Sequence, residues 1–320
     1  MSSLYDRIQG IGIVPVIAFN RVEEAVPLCR ALAAGGLPAA EVTFRTACAE
    51  DCIRAIKKEV PEMLLGAGTV LTRDQVDRAL DAGVEFIVSP GFNPEITRYA
   101  LSKGACMMPG TATPGEMEQA MSLGLNVVKF FPAEQNGGVA KLKALAGPYT
   151  ALRWMPTGGV NAQNINEYLS FDKIIACGGT WMCKSDKIKA GAWDEITAAT
   201  KEAVRTMLGF QLGHIGINCE NADAALAAAN LIGNLFMMPV AEGNSSDFVG
   251  ARELELMKKP GRGKYGHIAI KTNSLVRAIA HLELQGAVFD RASLVEKNGK
   301  PTAIYLADEI AGFAVHLVQK

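Results

Sequence analysis

The 320-residue chain has no Lys/Arg-rich tract, no Cys-x-x-C pair and no apolar run near the roughly 18 residues that suggest a membrane span. Lys and Arg total 32 against 33 Asp and Glu, a net charge of -1, so no broad cationic surface is available for nucleic acid or for an anionic membrane. The seven cysteines, at 29, 48, 52, 106, 177, 183 and 219, are odd in number and scattered, which is a poor disulfide framework. They read as reduced, buried fillers. The first residues, Met-Ser-Ser-Leu-Tyr-Asp-Arg, hold no basic stretch followed by an apolar one, and a cytoplasmic protein is expected. Also absent is a Gly-rich dinucleotide loop after the first apolar run, IVPVIAFNRVEEA, which an open doubly wound sheet would use.

What is present is a composition 49% apolar and 20% charged, enough to bury a large core. From Gly12 to Trp181 short apolar runs alternate with amphipathic stretches at helical spacing. The strand candidates span 13–19, 39–45, 64–70, 86–91, 105–111, 126–132, 152–159 and 174–181. Eight βα units predict an α/β fold, a (β/α)8 TIM barrel over residues 1–208. Glu41, Arg45, Thr69, Ser89, Pro90, Lys129 and Thr157 stand late in their runs, where such barrels build active sites.

After Leu208 the pattern changes. Gly213-His214-Ile215-Gly216-Ile217 returns as Gly266-His267-Ile268-Ala269-Ile270, each copy followed by a helix and then three short strand candidates. In the first copy these are 236–243, 246–250 and 252–259. Each copy is too small to bury a core alone, so residues 209–320 are expected to form a small α+β domain of two paired βαβββ modules.

Lys129 interrupts an apolar strand, Val127-Val128-Lys129-Phe130-Phe131-Pro132, and alternation sends Val127, Lys129 and Phe131 to one face, the barrel interior. Desolvation lowers the pKa of an interior ammonium and makes it nucleophilic; the alternative is a lysine whose tip reaches solvent at the barrel mouth. Residues 41, 43 and 45 likewise share a face and add a carboxylate, a hydroxyl and a guanidinium. Glu41 and Arg45 could simply form an ion pair. With an interior amine, however, the set provides a nucleophile, a proton shuttle and a bidentate carboxylate clamp. The pairs Gly158-Gly159 and Gly178-Gly179, on the last two strands, let backbone N–H groups approach an anion and read either as tight turns or as a phosphate site.

These residues lie within longer stretches, GLPAAEVTFR (36–45), GAGTV (66–70), SPG (89–91), PGTATPGE (109–116), GLNVVKFFPAEQNG (124–137), LKALAGPY (142–149) and MPTGGV (155–160). Over roughly residues 5–205 the chain resembles the 2-keto-3-deoxy-6-phosphogluconate and 4-hydroxy-2-oxoglutarate aldolases, a class I family. The resemblance implies Lys129 as Schiff-base lysine, Glu41 as general acid/base, Arg45 and Thr69 as pyruvate-carboxylate ligands, and Pro90 and Phe131 as pocket walls. It further implies that Thr157 contacts substrate hydroxyls and that Gly158, Gly159, Gly178, Gly179 and Thr180 hold the phosphate, with Thr180 standing where the family often has Ser. The implied reaction needs no cofactor. It cleaves the phosphorylated sugar acid to pyruvate and glyceraldehyde 3-phosphate, or 4-hydroxy-2-oxoglutarate to pyruvate and glyoxylate, in a homo-oligomer that the family resemblance makes a trimer.

All four histidines follow residue 209. His281 belongs to a helix and reads as a surface or helix-packing residue. His214 and His267 are repeat-equivalent, as are Glu255 and His316 in the last strands of the two modules, and together they suit a divalent metal site. Three imidazoles favour zinc, nickel, cobalt or iron(II) over magnesium. This arrangement is similar to the vicinal oxygen chelate superfamily, glyoxalase I above all, through RGKYGHIAI (262–270) and FAVHLVQ (313–319), with His316 where that family usually has Glu. A metal-free module used for assembly or ligand sensing is the plainer alternative. For the whole chain, two further readings are a pyruvate- or sugar-acid-binding regulatory protein and a metal-dependent lyase or isomerase seated in the C-terminal domain.

Overall fold

The computed structural model describes residues 3–320, which divide into two compact units meeting at Met207 and Leu208. No helix among these residues is long and apolar enough to cross a membrane.

The first unit is a curled parallel sheet. Its strands are β1 (Ile13–Ile17), β2 (Ala39–Thr43), β3 (Leu64–Gly68), β4 (Phe86–Val88), β5 (Cys106–Met108), β6 (Gly110–Thr111), β7 (Val127–Phe130), β8 (Arg153–Pro156) and β9 (Cys177–Gly179). The order β5-β4-β3-β2-β1-β9 forms one ladder and β6-β7-β8 another. They are two parts of one surface. Residues 105–111, expected as a single strand, break at Pro109, which has no N–H to give the ladder, yet its carbonyl accepts from Lys129 N at 3.0 Å. On the other side, parallel bridges Trp154↔Ile174 and Thr157↔Gly178 join β8 to the β9 segment.

Helices pack between successive strands, and their starts are written locally. Thr72 Oγ1 accepts from Gln75 N at 3.2 Å, Asn93 caps the helix that Pro94 begins, and Thr113 with Glu116 forms a capping box. Val14, Ala39, Leu64, Phe86, Met108, Val127 and Met155 form a fully buried layer across the strands. Burial of each large member contributes about 1.5–3 kcal/mol. Two residues further along, the same faces carry Val16, Glu41, Lys129 and Thr157. The apolar layer therefore floors a polar one.

The strands are shorter than the apolar runs that announced them. Arg45, Thr69, Ser89, Pro90, Phe131, Thr157 and Gly158 stand just beyond the strand ends instead of inside them, because the backbone there turns out of the ladder; at Thr69 it adopts φ 58°.

The second unit has one eight-stranded sheet built from β10 (Gln211–Asn218), β11 (Val240–Glu242), β12 (Ser246–Val249), β13 (Leu254–Met257), β14 (Gly266–Thr272), β15 (Phe289–Lys297), β16 (Lys300–Leu306) and β17 (Phe313–Gln319). Helices Ala222–Phe236 and Leu275–Leu284 follow β10 and β14, so the order of elements repeats as strand, helix, three strands. The sheet order β11-β12-β13-β10-β14-β17-β16-β15 places the first strands of the two copies side by side, antiparallel, and the last strand of each copy beside its own first strand, parallel. The strand expected at 236–243 begins only at Val240. Phe236 still belongs to the helix, Met237 caps it in the left-handed region, and Pro239 lacks a ladder donor.

Candidate active site and metal-ligand cluster

At the C-terminal ends of the parallel strands lies a cavity of about 320 Å3. Its wall is Val16, Glu41, Thr43, Arg45, Thr69, Pro90, Lys129, Phe131, Thr157, Gly158, Gly159, Val160, Gly178, Gly179 and Thr180. All twelve residues assigned to this site from sequence are in it. Val16 has no sequence signal beyond being apolar, Val160 only its place at the end of MPTGGV, and Thr43 only the face it shares with Glu41 and Arg45.

Lys129 and Glu41 come from β7 and β2 and meet inside the sheet, with Lys129 Nζ 3.1 Å from Oε1 and 3.4 Å from Oε2. They are 5% and 1% exposed, which decides against a lysine reaching out to solvent. Glu41 pairs with this lysine and not with Arg45, the simpler partner considered from sequence. Gly68 makes the room: a Cβ there would stand 2.2 Å from Glu41 Oε1. The ammonium also lies 5.4 Å from the centre of the Phe131 ring, a cation–π contact.

Arg45 is exposed at the rim. Its Nε donates to Thr43 Oγ1 at 3.2 Å. Thr69 holds its φ of 58° although β-branched residues disfavour that region, a strain that tends to collect where a site needs a particular backbone. Thr157 Oγ1 is buried without a hydrogen-bond partner. Gly158 and Gly159, at φ 100° and 82°, make a turn that side chains would resist. A Cβ on Gly178 would lie 2.3 Å from Thr157 Oγ1, so this strand end stays bare of side chain.

In the second unit, four neighbouring strands bring the other predicted residues together. Gly216 on β10 has Glu255 of β13 on one side and His267 of β14 on the other; Ala269 on β14 has His214 of β10 and His316 of β17. The small residue two places after each repeat histidine lets the rings converge, since a Cβ on Gly216 would come within 2.1 Å of the His267 ring. Ligand atoms of His214, His267 and His316 all lie within 4.8 Å of one another. Glu255 Oε2 is 3.3 Å from both His214 Nε2 and His267 Nε2, while its Oε1 accepts from Ser246 Oγ at 2.5 Å. Those hydrogen bonds, His267's first, hold the Glu255 carboxyl down to about 2.

Burial pushes the His316 imidazole down to about 4, and neither of its ring nitrogens has a hydrogen-bond partner. Tyr305 stacks on that ring at 4.5 Å between centres, a neighbour that sequence reasoning did not single out. His281 stands apart, on the helix Leu275–Leu284 beside Gln285 Nε2.

The family model described as KDPG and KHG aldolase matches residues 4–199. The 2-dehydro-3-deoxy-phosphogluconate aldolase of Treponema pallidum is 45% identical over 205 residues, 64% of this chain and 98% of its own length. The KHG/KDPG aldolase of Escherichia coli K12 is 45% identical over 192 residues, 60% and 90% of the two chains. Among solved structures, the KDPG aldolase of Legionella pneumophila, with pyruvate captured as a covalent carbinolamine, is similar at 34% identity and a TM-score of 0.61, over 63% of this chain and 98% of that one. The corresponding Zymomonas mobilis ZM4 aldolase with 3-phosphoglycerate gives 38% identity and a TM-score of 0.58, over 62% and 94%.

Proposed function

The chain belongs to the KDPG and KHG aldolase family, and from that premise we propose which of its residues carry the reaction. It is a class I aldolase, a carbon–carbon lyase that splits 2-keto-3-deoxy-6-phosphogluconate into pyruvate and glyceraldehyde 3-phosphate. The observation that carries the assignment of roles is the buried Lys129–Glu41 pair opening on the cavity.

Lys129 Nζ, relieved of its extra proton by Glu41, adds to the C2 ketone, and Glu41 returns that proton to the carbinolamine hydroxyl, which leaves as water and gives an iminium. The iminium draws in the electron pair of the C3–C4 bond as Glu41, directly or through a water, takes the C4 hydroxyl proton. Glyceraldehyde 3-phosphate leaves, C3 of the enamine is reprotonated, and water releases pyruvate and the free amine. Arg45 and Thr69 hold the carboxylate, with Pro90 and Phe131 as walls. Thr157, its hydroxyl unclaimed, serves the substrate hydroxyls and favours the gluconate over the galactonate epimer. Gly158, Gly159, Gly178, Gly179 and Thr180 take the phosphate, a reading supported by the bare, positive-φ glycine turn at that end of the cavity.

Borohydride with pyruvate should add one reduced adduct to the wild-type chain and none after Lys129→Ala; equal labelling of both would overturn the Schiff-base role. The phosphate assignment predicts a higher kcat/KM for the phosphorylated substrate than for 4-hydroxy-2-oxoglutarate, and equal values would remove it.

The curled sheet is a (β/α)8 barrel, with residues 1–208 as the aldolase domain and 209–320 as a vicinal oxygen chelate-like domain of two βαβββ modules. The donor set His214, Glu255, His267 and His316 fits one divalent transition metal, and the two orphaned nitrogens of buried His316 support that fit. Bound there, zinc, nickel, cobalt or iron(II) would act as a Lewis acid toward oxygen ligands. Less than a tenth of an equivalent of metal after expression in supplemented medium would count decisively against the site and favour a metal-free module. A cytoplasmic setting agrees with the lack of any disulfide among the described cysteines, and a trimer follows the family.

A further inference from the structure

Arg45 is a long, exposed side chain asked to recognise a planar carboxylate, and an exposed guanidinium free to rotate would do that poorly. Thr43 changes its freedom. The Thr43 hydroxyl is buried at the end of β2 and donates its only proton to the Ile17 carbonyl at the end of β1, at 3.0 Å. Having given that proton away, Oγ1 can only accept towards its other neighbours, and it accepts from Arg45 Nε at 3.2 Å. The relay Ile17 carbonyl, Thr43 hydroxyl, Arg45 Nε thus has one polarity and is anchored in two adjacent strands. With Nε occupied, the edge formed by the two terminal nitrogens of the guanidinium is left for a ligand.

We propose that Thr43 is a positioning residue that fixes the Arg45 guanidinium for the carboxylate of a 2-keto acid. The proposal rests on the reading of Arg45 as a carboxylate ligand. It makes the recognition of that carboxylate depend on a hydroxyl committed to its neighbours, not to substrate. Thr43→Val keeps the branched shape and removes the relay, Thr43→Ser keeps the relay, and Thr43→Ala serves should the valine variant not fold.

The test is the pyruvate dependence of borohydride trapping in the full chain, with methyl pyruvate, which lacks the carboxylate, run in parallel. Thr43→Val should raise half-saturating pyruvate about tenfold, the cost of a lost charge-assisted hydrogen bond, with the plateau of labelling kept. Thr43→Ser should stay near wild type, methyl pyruvate should be unaffected, and Thr43→Val should add nothing in an Arg45→Ala background. Equal weakening of pyruvate and methyl pyruvate, or an unchanged pyruvate curve in Thr43→Val while Arg45→Ala shifts it, would overturn the positioning role. An unchanged curve in Arg45→Ala overturns it differently, by removing Arg45 from the carboxylate.

Discussion

Both units set a carboxylate against nitrogen bases, and they do so in opposite ways. In the first, Glu41 and Lys129 reach across the interior from β2 and β7 and satisfy each other beside an open cavity. In the second, four groups stand side by side on one face of four adjacent strands, and one of them, His316, has both nitrogens unsatisfied. The first arrangement is complete as protein, whereas the second has a donor set larger than its internal partners can use. Their cores differ in the same sense. The first unit has a layer drawn from all around the sheet, while a cluster in the second rests on Ala225, Ala229, Val249 and Leu256, and its helix end exposes Leu231, Leu235, Phe236 and Met237. Exposed apolar side chains beside an unsatisfied polar cluster teach that the second unit has more stability to gain from a ligand than the first.

The sharpest way to break this comparison is to remove the amine. Lys129→Ala should lower kcat/KM by about four orders of magnitude or more, leaving metal content per chain unchanged. A parallel loss of metal would mean that the two sites are not independent. Next is Glu41→Gln, for which steady-state kinetics should show a loss of about 100- to 10,000-fold in cleavage while much of the borohydride adduct survives. Near-normal turnover would assign the proton transfer elsewhere.

Chelation probes the other side. Stripping the proposed ion should leave aldol cleavage within twofold of its starting rate and lower the melting temperature of the C-terminal transition by on the order of 10 °C, seen by calorimetry. The smallest effect concerns acid. Burial keeps the metal-free His316 neutral down to about 4, whereas an unfolded imidazole takes its proton near 6.5. Between those values the unfolded chain binds the extra proton, so stability of the metal-free second unit should fall as the pH drops from about 6.5 towards 4. His316→Phe should flatten that slope; an unaltered slope would place the sensitivity on other groups.

Much of this was legible in the residues, for reasons that differ between the units. Period-2 alternation around Lys129 and Glu41 was enough to send both inside, because a strand's side chains alternate without regard to its neighbours. Which carboxylate oxygen faces which amine depends on closure of the sheet over residues 88 positions apart, and sequence offered an Arg45 partner just as readily. In the second unit the repeat pointed to the four residues that cluster, His214, Glu255, His267 and His316. The part played by Gly216 and Ala269 was not legible, since a small residue in a strand acquires meaning only when its flanking partners are known. Alternation puts Thr43 on the right face, but its relay runs to Ile17, on a neighbouring strand whose register no local pattern states.

Thr69, held at φ 58° on the cavity wall, has a consequence for anyone who would evolve or engineer this enzyme for heat. Screens for thermal tolerance reward relief of uncomfortable backbone, and Thr69→Gly offers it in a single step. The same change removes a hydroxyl from the part of the cavity wall proposed to hold the pyruvate carboxylate. Selection by melting temperature alone should therefore enrich Thr69→Gly and yield tougher protein with weaker grip on its keto acid, whereas selection by turnover should keep the threonine.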